Sequence, residues 1–258
     1  MPARLPVTDL LAMLDAEAAR LAREADRVLP SDPVPTCPEW TVRDLVTHLG
    51  GVHRWATAVV ADGRTTNVDD ADAYFVAPAD DDDLLPWFIE GSSTLIDALR
   101  AAPDDLQAFV FLKNAPPAKM FWARRQLHET TIHRIDAQAA RLGRLVSTAE
   151  AGIPIAQAVD GLDELLTGFV PRRGSRLRTD EPFRSVVAAT DAPVAWTVSV
   201  SADAPVVVEG ADPAAQSLLT GTAAALYLGL WNRGDDVAES GTVDLLGHWR
   251  EQVRVSWS

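Results

Sequence analysis

Phe121–Leu142, FWARRQLHETTIHRIDAQAARL, decides how the rest of the chain is read. Glu129 and His133 stand four residues apart, and positions i and i+4 share one face of a helix. Their Cβ atoms then lie roughly 5–6 Å apart, within reach of a single ion. Zn–N and Zn–O bonds of about 2.0–2.2 Å suit that spacing. Arg125, one turn earlier, and Asp136, one turn later, fall on the same face. They are placed to tune the carboxylate and to fix the imidazole tautomer. His128 has Ile132 as its i+4 neighbour and points about a third of a turn away. The ligand pair expected from this helix is therefore Glu129 with His133. Spacing alone is a weak signal, because such pairs are common on solvated faces. A third ligand has to come from elsewhere, and His48, His53, Cys37 and His248 are the candidates.

Upstream, Thr8–Leu29 reads as an amphipathic helix, with Leu10, Leu11, Leu14, Ala18, Leu21, Ala25 and Val28 at helical spacing. Pro30 follows its end, and LPSDPVPTCPEW is an extended or turning connection. Thr41-Val-Arg-Asp44 resembles a capping box and opens a second helix running to about Val60. Its apolar stripe is Leu45, Leu49, Val52, Ala56 and Val59. His48 lies beside that stripe and points inward. His53, five residues on, points elsewhere and reads as a capping or surface histidine, as does His128. Ala61–Pro78 reads as a long loop. A third helix spans about Asp83–Arg100, with Pro86 tolerated in its first turn. Ala101–Ala118 is another connection, with a short strand-like piece at Phe109–Leu112. Four helices joined by such loops make a four-helix bundle, whose metal sites are built from inward side chains. Trp40, Trp55 and Trp122 read as bundle core first and pocket wall second. Cys37, before Pro38 at a turn, reads as packing at the entry to the second helix, with no neighbour set to lower its pKa.

The pattern changes after about residue 145. Glu150–Gly168 reads as helix and Arg172–Arg178, RRGSRLR, as a solvated basic turn. Phe183–Thr190, Val194–Val200 and Pro205–Glu209 are β-branched runs between turns, the pattern of a three-strand meander. Asp212–Gly229 reads as a helix capped by Asp212 with Pro213 first. The tail VDLLGHWREQVRVSW suggests a short helix and a closing strand. This half reads as a small α+β domain. The expected division is a metal-binding bundle over 1–147 and an α+β domain over 148–258, with a ligand pocket between them.

Acidic residues outnumber basic ones 37 to 23, for a net charge of −14. That excess argues against nucleic acid as the main partner, since phosphate binding needs a concentrated basic surface. The single cysteine excludes an internal disulfide framework and fits a cytoplasmic protein. The N-terminus has no apolar h-region of a signal peptide. The longest apolar stretch, Ser217–Trp231, is too short to span a bilayer, so no membrane association is expected.

Cys37-Pro-Glu-Trp-Thr-Val-Arg-Asp-Leu-Val-Thr-His48-Leu-Gly-Gly-Val-His53-Arg-Trp55 resembles the signature of the maleylpyruvate isomerase-like, mycothiol-dependent proteins of actinobacteria, whose N-terminal domain is DinB-like. The resemblance continues through Arg125, His128, Glu129 and His133-Arg-Ile-Asp136, and into Leu230-Trp-Asn-Arg233. It covers nearly the whole chain. It implies a divalent metal, most readily Zn²⁺, held by His48, Glu129 and His133, the first from the second helix and the pair from the fourth. Three protein ligands with one open position is the arrangement of a catalytic zinc site. It also implies mycothiol as the thiol cosubstrate, presented to the electrophile as thiolate. In the family's isomerase, thiolate addition to a cis-enedioyl acid permits bond rotation, and elimination releases the trans isomer. Arg233 has two readings: a cation capping the C-terminal end of its helix, or a residue binding the anionic cofactor or substrate.

The expectation is thus an enzyme of small-molecule partners, a thiol-dependent isomerase or S-transferase acting as monomer or homodimer. The alternatives from other classes are a non-catalytic metal-binding module, such as a sensor or sequestering protein, and a metal-dependent hydrolase.

Overall fold

The computed structural model describes residues 5–67, 71–112 and 115–253. Contacts divide the chain into two units, one holding Pro6–Phe111 and Ala115–Val146, the other running from Ser147 onwards.

The first unit is a four-helix bundle: α1 (Val7–Ala25), α2 (Val42–Ala61), α3 (Leu84–Ala101) and α4 (Ala118–Leu142). Helix α1 packs on α3 and α4, and α2 packs on the same two. Apolar spacing drives this packing. Leu10, Leu14 and Leu21 of α1, Leu45, Leu49 and Val59 of α2, and Phe88, Leu95 and Leu99 of α3 are wholly inaccessible. Burial of each such side chain contributes about 1.5–3 kcal/mol. Helix α4 is different, because it is buried on nearly every side, Arg124, Arg125, His128, Arg134 and Asp136 included. A helix this polar can sit in the middle only if its charges find partners there. Glu17 of α1 supplies one, at 2.6 Å from Arg134 Nε, and Arg134 Nη1 also donates to Gln138 at 3.0 Å. Glu24 of α1 pairs with Arg141. Gly143, with φ +66°, ends α4 in the left-handed conformation that glycine adopts freely.

The proline-rich connection after α1 is a small hairpin, β1 (Pro33–Val34) and β2 (Cys37–Thr41), paired antiparallel. Thr41 then caps α2, and the capping box with Asp44 is complete in both directions. The 61–78 segment is not all loop: Ala71–Phe75 forms a 3₁₀ turn beside α2. The strand expected at Phe109–Leu112 is absent. Phe109 instead makes isolated bonds, its N–H to Arg64 O at 2.6 Å and its carbonyl to Trp122 Nε1 at 2.9 Å. A lone backbone bond holds a loop without building a ladder.

In the second unit the expected Glu150–Gly168 helix breaks in two. Gly152, at φ +56°, ends α5 (Thr148–Ala151), and Pro154 precedes α6 (Ile155–Asp163), which runs into a π-helical turn at Glu164–Phe169. The meander forms as β3 (Phe183–Ala189), β4 (Ala195–Val200) and β5 (Val206–Glu209), each neighbouring pair antiparallel. The sheet is larger than the meander. Its order is β5-β4-β3-β6-β7, with β6 (Ser217–Gly221) parallel to β3 and β7 (Ala238–Gly241) antiparallel to β6. This corrects the long helix expected over Asp212–Gly229. Asp212 does not cap it: its carboxylate accepts from Ala214 N at 2.8 Å, a local turn. Residues 217–221 then alternate, Leu219 buried and Leu218 exposed, as a strand does. Only at Thr222, whose hydroxyl accepts from Ala225 N, does helix α7 (Ala223–Leu230) begin. The tail gives α8 (Leu245–Gln252), capped by Asp244. The closing strand expected after it lies outside the described residues. Among the described residues, no helix is long and apolar enough to cross a membrane.

Candidate metal centre

Helices α2 and α4 bring His48, Glu129 and His133 together, each offering one ligand atom, all within 4.8 Å of one another. Glu129 Oε1 lies 3.4 Å from His48 Nε2 and 3.2 Å from His133 Nε2. In a tetrahedral site with bonds of about 2.1 Å, ligand atoms stand about 3.4 Å apart. The two nitrogen–oxygen separations match that spacing, and the three ligand atoms form a group that could hold a divalent ion. The supporting groups are in place too. Arg125 Nη2 donates to Glu129 Oε2 at 2.7 Å, so that oxygen is occupied and Oε1 faces the two rings. His133 Nδ1 donates to Asp136 Oδ2 at 2.9 Å, which leaves Nε2 as the coordinating nitrogen.

The electrostatics follow from burial and these bonds. Burial pushes the Glu129 carboxyl up, but hydrogen bonds from His133 and His48 and the Arg125 charge outweigh it and hold the group well below its usual range. Burial pulls His133 down, yet bonds to Asp136 and Glu129 lift it to about 9. His48 lies below its ordinary value, chiefly through burial, with the neighbouring Glu129 opposing the shift. A divalent cation bound here would compete with protons for the imidazole nitrogens.

Aromatic side chains line the cluster. The Trp40 ring stands 4.9 Å from that of His48 and stacks on that of His133 at 5.8 Å, tilted by 26°. Phe75 approaches His48 from the 3₁₀ turn, at 5.9 Å between ring centroids. Gly51 makes room for it, since a Cβ there would overlap the Phe75 ring. Trp40 is half-buried, whereas Trp122 is wholly buried and packs edge-on to Trp55 at 5.0 Å.

His53, His128 and Cys37 are not among the converging ligand atoms. His53 and His128 were expected at the surface, and both are fully buried. His128 is buried because α4 has no solvent face along this stretch, and His53 because it points from α2 into the bundle, towards α3 and α4. His53 Nε2 pairs with Thr130 Oγ1 at 2.9 Å, and its ring packs on Phe88. Cys37 is half-buried, and its thiol donates to Asp136 Oδ2 at 3.6 Å. His248 packs on Phe183 in the second unit. Arg233 follows α7, its N–H bonding Leu228 O at 2.8 Å and its guanidinium bonding Trp231 O at 2.9 Å, as a C-terminal capping residue does. Sequence reasoning missed Thr36, which donates to Asp136 Oδ1 at 2.6 Å from a hundred residues away.

Burial lowers the His53 pKa to about 3. The unfolded chain takes up this proton below about 6.5 and the folded chain does not, so the unfolded state binds more protons across that window. Stability should therefore fall as pH drops from about 6.5 towards 3, by up to about 1.4 kcal/mol per pH unit from this group. Urea midpoints of wild type and His53→Gln between pH 7 and 4 would read it. The variant's profile should be flatter, and parallel profiles would refute the assignment.

The family profile described as the mycothiol maleylpyruvate isomerase N-terminal domain matches residues 11–138, and the MDMPI C-terminal domain matches residues 156–248. Among solved structures, that of the mycothiol-dependent maleylpyruvate isomerase aligns at a TM-score of 0.61 and 17% identity, covering 93% of this chain and 95% of that one. A histidine-to-alanine mutant of the same enzyme aligns at 0.62 and 16%, with the same coverage. No curated protein matches the sequence. The likeness is one of fold: a DinB-like helical bundle followed by a small mixed-sheet domain.

Proposed function

The chain belongs to the mycothiol maleylpyruvate isomerase family, and from that premise we propose that it is a metal-dependent isomerase using mycothiol as its thiol cosubstrate. The substrate is a small electrophilic acid, and the reaction class is reversible thiol addition with cis–trans isomerisation. The observation that carries the metal part is the convergence of His48, Glu129 and His133 from two helices, with Asp136 holding the free nitrogen of His133 towards the others.

The residues divide the work. His48 and His133 supply imidazole nitrogens and Glu129 a carboxylate oxygen. Arg125 keeps Glu129 ionised and turned inward. Trp40 and Phe75 exclude water from the side of the cluster they cover. A bound Zn²⁺ supplies the positive charge that lowers a thiol's pKa into the thiolate range. Zinc is the preferred ion because its tetrahedral N/O coordination suits two imidazoles and one carboxylate.

The test is elemental analysis of protein purified without added metal, followed by titration with mycothiol and an assay for maleylpyruvate isomerisation. About one equivalent of metal per chain is expected for a three-ligand centre of this kind. Mycothiol binding should require the metal, and isomerisation should require both. His48→Ala should lose the metal and, with it, thiol binding. Metal content unchanged in His48→Ala would overturn the ligand set, and metal without thiol binding would overturn the isomerase reading.

A further inference from the structure

The hairpin before α2 touches the metal centre at more than one place. Thr36, in its turn, donates its hydroxyl to Asp136 Oδ1 at 2.6 Å. Cys37, at the start of β2, reaches Asp136 Oδ2 at 3.6 Å. Trp40 of the same strand lies against the rings of His48 and His133. Thr41 then caps the helix that carries His48. One short element is thereby fastened to both ligand-bearing helices.

Asp136 is fully inaccessible. A buried carboxylate is costly unless its oxygens are hydrogen-bonded. One oxygen accepts from His133 Nδ1, and the other accepts from Thr36. An O–H···O⁻ contact of this length belongs to the strong, charge-assisted kind. The segment presenting the hydroxyl is itself stiff. In Val34-Pro35-Thr36-Cys37-Pro38, each proline fixes its own φ and holds the residue before it extended. Threonine, branched at Cβ, has little χ1 freedom. Little order is left to impose when the bond forms.

We propose that Thr36 is a positioning residue of the metal centre. It locks the Asp136 carboxylate in the rotamer that presents His133 Nε2 to Glu129 and His48. Cys37 is the lesser partner, because a thiol at 3.6 Å is a weak donor. The inference rests on the metal-site reading above.

The test measures Zn²⁺ affinity by competition with a chromophoric chelator, the d–d absorption of the Co²⁺-loaded protein, and urea unfolding of the apo-protein. The variants are Thr36→Val, Thr36→Ser, Cys37→Ala, Asp136→Asn and the Thr36→Val/Asp136→Asn pair. Thr36→Val should weaken Zn²⁺ binding about tenfold, the lower end for an outer-shell partner, and shift the Co²⁺ spectrum. Thr36→Ser keeps the hydroxyl and should stay within about twofold of wild type, as should Cys37→Ala. Adding Thr36→Val to Asp136→Asn should cost nothing more, because both act through one carboxylate. Should Thr36→Val not fold, Thr36→Ala serves in its place.

Unchanged affinity and spectrum in a folded Thr36→Val protein would overturn the inference and leave the metal-site reading intact. So would a lower apo stability with wild-type affinity, or additivity in the double variant. Wild-type protein that takes up neither Zn²⁺ nor Co²⁺ would overturn both.

Discussion

Glu129→Gln is expected to abolish metal binding at the proposed centre. The substitution preserves shape but replaces the anion that His48, His133 and Arg125 all face. An amide oxygen is neutral, so a dication loses its one charged ligand. Affinity should fall by more than the roughly hundredfold that marks the loss of an outer-shell partner. The proposed isomerase activity should fall with metal occupancy. The fold should survive at reduced stability, because Arg125, only 2% exposed, keeps its charge after losing this partner. Elemental analysis and circular dichroism on the same preparation separate the two effects. Stoichiometric metal at wild-type affinity in Glu129→Gln would sink the ligand assignment.

Arg134→Ala is expected to destabilise the bundle strongly. Arg134 is inaccessible, and its Nε reaches Glu17 at 2.6 Å across the α1–α4 contact. Removing it leaves a buried carboxylate with Arg20 at 3.1 Å. It also deprives the Gln138 side-chain oxygen of a donor. Breaking a buried pair from one side costs about 3–5 kcal/mol, against a total stability of about 5–15 kcal/mol for most domains. Replacing both members with apolar residues of similar volume, Glu17→Leu with Arg134→Met, should restore much of the loss, since the desolvation cost disappears with the charges. Urea unfolding of wild type and both variants decides it. A single variant within about 1 kcal/mol of wild type would mean that the pair behaves like a surface ion pair.

The parts of this architecture legible beforehand are those set by local chemistry. Helical spacing places Glu129, His133, Arg125 and Asp136 on one face, and the capping box at Thr41 fixes where α2 starts and so where His48 points. What stayed hidden depends on tertiary contact. Thr36 sits in a proline-rich turn, and nothing near it in sequence marks a carboxylate a hundred residues on. His53 reads as a capping or surface residue because it falls five positions after His48, and nothing local shows that α3 and α4 cover that side of α2; the acids of α1 that let the charge-rich α4, with His128, sit centrally are likewise remote in sequence. In the second unit, Asp212-Pro213 carries the same letters whether it starts a helix or makes a turn. Pairing of Ser217–Gly221 with β3 decided in favour of the turn.

The α1–α4 contact also sets a schedule for the protein's birth. Glu17 and Arg134 are 117 residues apart in sequence. At a synthesis rate of about 5–20 residues per second, the first helix waits roughly 6–25 seconds for its counterpart to be made. During that interval the face it turns to α4 stays uncovered. The proposed metal ligands obey the same clock, because His48 emerges long before Glu129 and His133. On the metal-site reading, an ion could be captured only once nearly all of the first unit has been translated, so loading would belong to the end of its folding rather than to its nucleation.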